Sequence, residues 1–194
     1  MTRLIFEIIF VVFVVIAGFI RRPFEKRNKA NAINVDKKDN QEKWLLGLVF
    51  LGMSVLPFLY VVSPWLDFAN YDLPFPLNVI GAVSLLPTAI LFYRSHKDLG
   101  RNWSVSLEIR DEHHLVTKGV YEYIRHPMYT AIWLWVICQA LLLQNYIAGL
   151  SGIISFGLLY LIRVGKEERM MKMQFGEQYE TYKQKTKRLI PHLL

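Results

Sequence analysis

Apolar residues in this chain gather into five runs, Leu4 to Ile20, Trp44 to Val62, Leu73 to Phe92, Met128 to Leu143 and Tyr146 to Ile162, with polar stretches between them. A hydrocarbon core of about 30 Å takes roughly 20 apolar helical residues to cross, with about 17 at the short limit, so these runs read as membrane helices. The last two are the shortest and are separated only by Gln144 and Asn145, which predicts a tight helical hairpin. The fold class expected is all-α: a polytopic membrane helical bundle with five transmembrane helices.

Within these runs, Pro57, Pro64, Pro74, Pro76 and Pro87 are expected to kink or end helices in the second and third spans. Ala148 and Gly152, like Ser151 and Ser155, stand four apart on the fifth and would let a neighbouring helix approach closely. The first run is too long for a signal-peptide core and its arginines, Arg21 and Arg22, follow it, so it reads as an anchor. Glu7 lies about one turn from its outer end, within reach of the interface. Cys138, the only cysteine, forms no intrachain disulfide and reads as a small hydrophobe in the fourth span. The segment Glu25 to Glu42, polar and without apolar periodicity, reads as a loop lying near anionic headgroups.

Charge fixes the expected orientation. Only Arg3 precedes the first span, whereas Arg21 to Lys43 carries eight basic residues, Arg94 to Arg125 six, and the tail from Arg163 eight. Ser63 to Asp72 and the hairpin turn carry none. Because Lys and Arg near span ends stay in the cytoplasm, the N-terminus is expected outside and the C-terminus inside. A re-entrant hairpin would have both ends on one side, so charge leaves its depth open. A net charge of +7 and 53% apolar residues fit the same picture. The chain reads as one integral membrane domain, residues 1–98 forming the first three spans and 99–194 a catalytic half.

Polar groups are densest on the predicted inner side, between Leu99 and Tyr129 and from Arg163 onward. There is no G-x-G-x-x-G, no G-x-x-x-x-G-K-[ST], and no His/Cys/carboxylate spacing suited to a metal. Proline is favoured at the first helical position, so Pro127 should open the fourth span, its free N–H groups making an anion site beside Arg125 and His126. Tyr121 and Tyr129 could offer flat faces to an aromatic base. Equally, a juxtamembrane Arg-His-Pro-x-Tyr could simply anchor a helix at the headgroups. Arg163 and Glu167 share a helix face while Glu168 points about 100° away. A solvated ion pair explains that spacing; so does a clamp in which Arg163 grips a carboxylate and Glu167 accepts ribose hydroxyls.

Three motifs carry a resemblance: Leu-Gly-x-x-Trp-Ser at 99–104, Gly-Val-Tyr-x-Tyr-x-Arg-His-Pro-x-Tyr at 119–129, and Glu-Glu-x-x-x-x-x-x-Phe-Gly-x-x-Tyr-x-x-Tyr at 167–182, followed by Arg188 and Pro191. In order and spacing they resemble the isoprenylcysteine carboxyl methyltransferase family, whose cofactor-binding half is related to that of membrane phospholipid methyltransferases. The resemblance implies an S-adenosylmethionine site facing the cytoplasm, with S-adenosylhomocysteine as product. Cofactor contacts are implied for His113, His114, Leu115, Val116, Tyr121, His126, Pro127, Met128, Tyr129 and Glu167, and an acceptor-carboxylate contact for Arg163, with Arg163 and Glu167 as the catalytic pair.

The implied reaction esterifies the carboxylate of a lipidated small molecule or protein, most readily an S-isoprenylcysteine, drawn from the bilayer, with membrane lipids as further partners, in the plasma membrane of a prokaryote or the endoplasmic reticulum of a eukaryote. No nucleic-acid partner is implied. Two alternatives remain at this level: N-methylation of an amine phospholipid headgroup, for which Glu168 could serve as base, and a non-enzymatic scaffold whose basic loops recruit anionic lipid or partners.

Overall fold

The computed structural model describes residues 2–28, 33–36, 40–100, 108–110, 114–191 and 193. Its helices are α1 (Thr2–Asn28), α2 (Asn40–Phe50), α3 (Leu56–Val62), α4 (Phe75–Leu99), α5 (Pro127–Leu143), α6 (Ser151–Phe175) and α7 (Glu177–Lys185). A π-helical turn, Leu51–Val55, joins α2 to α3 in one apolar rod. Among the described residues three stretches are long and apolar enough to cross a bilayer, Arg3–Arg27, Asn40–Val62 and Phe75–Leu99, while Pro127–Leu143 is a shorter apolar helix. The expected all-helical membrane architecture holds, with one small addition. Strands β1 (Ile33–Asp36) and β2 (Glu108–Arg110) pair antiparallel, Ile33 opposite Arg110 and Asp36 opposite Glu108.

The core follows from helical spacing. Phe6, Phe10, Phe13 and Ala17 recur every three or four residues on α1 and turn inward. They meet Leu85 and Phe92 of α4 and Ala131, Cys138 and Leu142 of α5. Ile8, Val12, Val15, Phe19, Val83 and Leu86 stay exposed and form the lipid-facing surface. The middle helix is α5, whose Ala131, Val136, Leu142 and Leu143 are all fully buried, so its shortness is accommodated by neighbours instead of lipid. The first run is an integral helix of the bundle, and Cys138 packs as the small apolar residue expected.

Since lipid is as apolar as leucine, close backbone approach and interhelical hydrogen bonds must supply specificity. Both centre on Gly52. In the π turn the Leu56 N–H reaches back five residues to the Leu51 carbonyl, so the next bond would need an N–H from Pro57. Proline has none, which leaves the Gly52 carbonyl to accept from Gln139 Nε2 of α5 at 2.9 Å and Ser151 Oγ of α6 at 2.7 Å. A Cβ on Gly52 would collide with Ser155 Oγ and lie 2.6 Å from the Ser151 carbonyl oxygen. The small residues expected to allow close approach on α6 do so here.

Three boundaries differ from the sequence reading. Helix α1 runs through Pro23 to Asn28, and α2 starts at Asn40, so much of the expected loop Glu25 to Glu42 is helix or strand. Pro87, expected to kink or end a helix, lies inside α4. The fifth apolar run does not begin as helix at Tyr146: Gln144 adopts a left-handed conformation (φ 48°), and Asn145 Oδ1 accepts the N–H groups of Ile147 and Ala148 at 3.0 and 2.9 Å. That side chain holds a turn, and α6 starts at Ser151 and continues beyond Ile162 to Phe175.

The three basic segments meet at one end of the bundle. Gln41 accepts a hydrogen bond from Lys166 (2.7 Å), and Arg125 faces Glu168 (3.3 Å). At the other end Arg3 donates to the Tyr71 carbonyl at 3.2 Å and lies 3.9 Å from Asp72.

Candidate active site

Pro127 opens α5 as its sequence position predicts, with His126 just outside the helix and its side chain not used as a cap. The segment that follows α7 is laid across this helix start. Arg125 N–H donates to Lys187 O (2.7 Å), His126 N–H to Arg188 O (3.0 Å) and Thr130 Oγ1 to Leu189 O (2.8 Å). What returns the backbone is Gly176, at φ 53° and ψ −124°, a conformation open essentially to glycine alone. It turns α7 back so that Tyr179 and Tyr182 become buried. Tyr182 Oη donates to Tyr121 O at 2.6 Å, and Tyr121 Oη to Ser95 O at 3.3 Å, linking α7 through the loop to α4. Burial pushes the phenols of Tyr121 and Tyr179 up and that of Tyr182 up to about 12, so all three stay neutral donors. Gly119 (φ 66°) turns the loop where Asp98 accepts the Val120 N–H at 2.9 Å; a Cβ there would strike that carboxylate.

The two adjacent glutamates have opposite environments. Glu168 is buried, its carboxylate gripped by Arg188 through Nε (3.0 Å) and Nη2 (2.6 Å), with Arg125 Nε at 3.3 Å and His126 Nε2 at 3.5 Å. Arg125 also donates to the carbonyls of Lys183 (3.1 Å) and Thr186. Burial by itself would raise the Glu168 pKa, but the nearby His126 and the hydrogen bonds from Arg188 outweigh it and hold the carboxyl well below the usual carboxylate range. Glu168 correspondingly raises Arg188. Such a carboxylate is a poor proton acceptor with its oxygens already engaged, so the sequence suggestion of Glu168 as a base for amine chemistry loses its physical ground.

Glu167 is instead half-open. Tyr129 Oη donates to Glu167 Oε2 at 2.6 Å, while Oε1 lies 3.9 Å from His126 Nδ1. The His126 and Tyr129 rings stack, 5.3 Å apart and 19° from parallel. The carboxylate is thus aimed, with one oxygen left to accept hydroxyls. Arg163 does not pair with Glu167 as its spacing suggested; its Nη1 lies 3.4 Å from Glu42 Oε1 of α2, both side chains largely buried. Arg163, Met128 and Tyr129 line a cavity of about 310 Å³ walled by α2, α4, α5 and α6. Arg163 and Glu42 also line a second, about 760 Å³, between α2 and α6.

Of the residues singled out in the sequence, Tyr129, His126 and Glu167 are in one cluster, with Pro127, Met128 and Arg163 at its edge. Tyr121 is buried and tied to α4 and α7, so its ring face is not open. His114 is exposed, and Leu115 and Val116 are half-buried in the extended stretch before Gly119. His113 lies outside the described residues, as do Arg101 to Ser104 of the first motif. Sequence reasoning missed Glu42, which looked like one acid among many in a polar segment. It also gave Arg125 and Arg188 no part in neutralising Glu168; a signal for that was the excess of arginine beside a glutamate pair near a bilayer.

Fold and site together define a polytopic helical membrane protein with a buried, charge-ordered site at one end. Residues 79–173 match the family model described as the isoprenylcysteine carboxyl methyltransferase (ICMT) family. The matched stretch holds the first two of the three motifs and the start of the third, so the family model and the motif resemblance fall on the same part of the chain. The human protein-S-isoprenylcysteine O-methyltransferase is 28% identical over 164 residues, covering 80% of this chain and 58% of its own. The Xenopus laevis enzyme of that name is 30% identical over 168 residues, 82% and 58%. Protein-S-isoprenylcysteine O-methyltransferase B of Arabidopsis thaliana is 34% identical over 94 residues, 47% and 48%. A solved structure of the eukaryotic intramembrane Ras methyltransferase ICMT shares the fold, with a TM-score of 0.53 at 24% identity over 81% of this chain and 55% of that one. The chain spans about half to three fifths of the length of these relatives.

Proposed function

We propose that this protein is an S-adenosylmethionine-dependent carboxyl O-methyltransferase that esterifies a lipidated carboxylic acid, an S-isoprenylcysteine being the leading acceptor. The observation that carries this reading is the division of labour one helical turn apart on α6, where Glu167 is held as an aimed acceptor by Tyr129 and Arg163 borders the apolar 310 Å³ cavity. The names of the relatives point to the same acceptor class.

The site's residues suit the donor. Glu167 keeps one carboxylate oxygen for ribose hydroxyls, and the N–H groups opening α5 beside His126 suit the carboxylate of its methionine end. When bound, S-adenosylmethionine supplies an activated methyl on a sulfonium. The acceptor carboxylate is already ionised near neutral pH, so the protein needs no general base. Arg163 orients that carboxylate along the line of displacement, which is where alignment contributes most. Glu42, 3.4 Å from Nη1, is the carboxylate that holds the Arg163 guanidinium in place at the cavity. The apolar chain remains among the helices.

We assign five membrane crossings, with the N-terminus outside and the basic end cytoplasmic. Cysteines placed singly at Asn28 and Gln184, with Cys138 replaced, should resist an impermeant thiol reagent in intact cells; labelling of either from outside contradicts the orientation. The activity is tested with methyl-labelled S-adenosylmethionine, a prenylcysteine analogue and phosphatidylethanolamine, followed by base. Esters release labelled methanol. Label that stays base-stable and travels with phospholipid would overturn carboxyl methylation in favour of N-methylation.

A further inference from the structure

Beside Glu167, α5 and α6 are locked together by aromatic rings. Tyr129 and Trp133 stand four apart on α5, and Phe156 and Tyr160 four apart on α6, so each pair shares one helix face. The pairs interleave in edge-on contacts. Tyr129 meets Phe156 at 6.0 Å between centroids and 62° between planes, and Tyr160 at 5.5 Å and 89°. Trp133 meets the same two rings at 5.2 Å and 73°, and at 5.9 Å and 77°. Ring quadrupoles favour this tilted, edge-to-face arrangement. Gly157 lets the helices come together at this level, since a Cβ there would lie 3.3 Å from Trp133 Cη2.

Tyr129 is the ring that reaches the site. Its Oη donates to Glu167 Oε2 at 2.6 Å, the bond that aims the carboxylate. His126 lies nearly parallel to it, 19° between planes. A parallel neighbour limits tilting but lets a ring slide in its own plane, and the steeply inclined Phe156 and Tyr160 oppose that slide. The slide matters because a hydrogen bond weakens steeply once its donor swings off line. Phe156 is buried and lines the 310 Å³ cavity, whereas Tyr160 is half-buried and is not among the residues lining it. Tyr160 therefore bears on Tyr129 from outside the acceptor's cavity.

We infer that Tyr160 is a positioning residue for the methyl donor: its ring, edge-on to Tyr129, sets where the Tyr129 hydroxyl meets Glu167, and so how well Glu167 receives the donor's ribose. The inference rests on the reading of Glu167 as the donor's hydroxyl acceptor and adds to it a residue that lies outside all three motifs. What Tyr160 supplies is its flat ring, so phenylalanine serves in its place and an aliphatic side chain does not.

The test is calorimetry of S-adenosylhomocysteine binding to the full chain in detergent, for Tyr160→Phe, Tyr160→Leu, Tyr129→Phe and the pair Tyr129→Phe, Tyr160→Leu. Tyr160→Phe should bind as the unaltered protein does. Tyr160→Leu keeps apolar bulk without a flat ring and should weaken binding by roughly three- to tenfold, the range that one aromatic pair supplies. Tyr129→Phe removes the hydroxyl that Tyr160 places, so in that background Tyr160→Leu should cause no further loss. A contact that only stabilises the bundle would give the same loss with and without the Tyr129 hydroxyl. That additive result overturns the inference, as does full affinity in Tyr160→Leu or weakened binding in Tyr160→Phe. Tyr160→Met takes the place of Tyr160→Leu in the same cycle if the leucine variant does not fold. Affinity that Glu167→Gln leaves unchanged, or no binding by the unaltered protein, is a different result, refuting the donor reading of Glu167 and this inference with it.

Discussion

The end of the bundle that holds Arg3 is closed by amides, and the opposite end is closed by ions. At the first, Asn145 donates to Leu66 O (2.7 Å) and Asn70 Oδ1 (2.9 Å) and accepts two backbone N–H groups, while Gln144 Oε1 accepts from Leu73 N–H at 3.0 Å. Tyr71 N–H donates to Gln144 O and Tyr146 N–H to Ala69 O, at 2.9 and 2.8 Å. At the second, the same task of tying loops to helix ends falls to Arg125, Glu168 and Arg188. Neutral amides satisfy buried backbone with little desolvation cost, whereas burying ions costs several kcal/mol per ion before any attraction is counted. Amides suffice for architecture, as the first end shows. The ionic closure lies beside the Tyr129–Glu167 pair and the two cavities bordering Arg163, where fixed charge has chemical use.

Removing one member of each knot should separate them most widely. Glu168→Ala leaves the buried Arg125 side chain without its counter-charge and takes the partner from the more exposed Arg188, and is expected to cost about 3–5 kcal/mol. Asn145→Ala, measured by the same denaturation in detergent, should cost about 1–3 kcal/mol, the range for buried groups left without partners. Equal losses would break the contrast. A smaller effect, about 0.6 kcal/mol and at most ~1.7, is expected for Gln139→Leu, because interhelical hydrogen bonds in membranes contribute that much. Its two acceptors, Gly52 O and Ala148 O, each also accept from Ser151 Oγ.

Acid should sharpen the contrast without mutation. The folded Glu168 carboxyl is held below its unfolded value of about 4.3, so its contribution is complete above that pH and is lost as pH falls through the folded value. Amide exchange at Arg125 and His126, which bond the returning C-terminal segment, should accelerate below pH ~4, while that at Tyr71 and Tyr146 should not change from this cause. Parallel acceleration at both ends would remove the assignment of Glu168 as the ionic keystone.

The sequence made much of the scaffold legible because membrane helices announce themselves by length. The start of α5 was readable too, since proline at the first helical position has a local cause in its missing N–H. The start of α6 was not, because Tyr146 to Leu150 is as apolar as a helix, and only the Asn145 side chain keeps it a turn. The π turn needed both Pro57 and two partners from distant helices to be seen. At the site, Tyr129, His126 and Glu167 were legible as a group by motif. The pairing of Arg163 with Glu42 was not: helical spacing offers Glu167 as the near partner, and only tertiary packing brings α2 closer.

The claim that Glu167 serves the donor and Arg163 the acceptor is tested most directly by calorimetry of S-adenosylhomocysteine binding to Glu167→Gln and Arg163→Ala, set beside turnover of a prenylcysteine acceptor. Glu167→Gln should weaken binding by roughly tenfold or more, the loss of charge-assisted hydrogen bonds. Arg163→Ala should bind as the unaltered protein does and fail to turn over. Normal binding by both variants, or loss of binding in Arg163→Ala alone, contradicts the division.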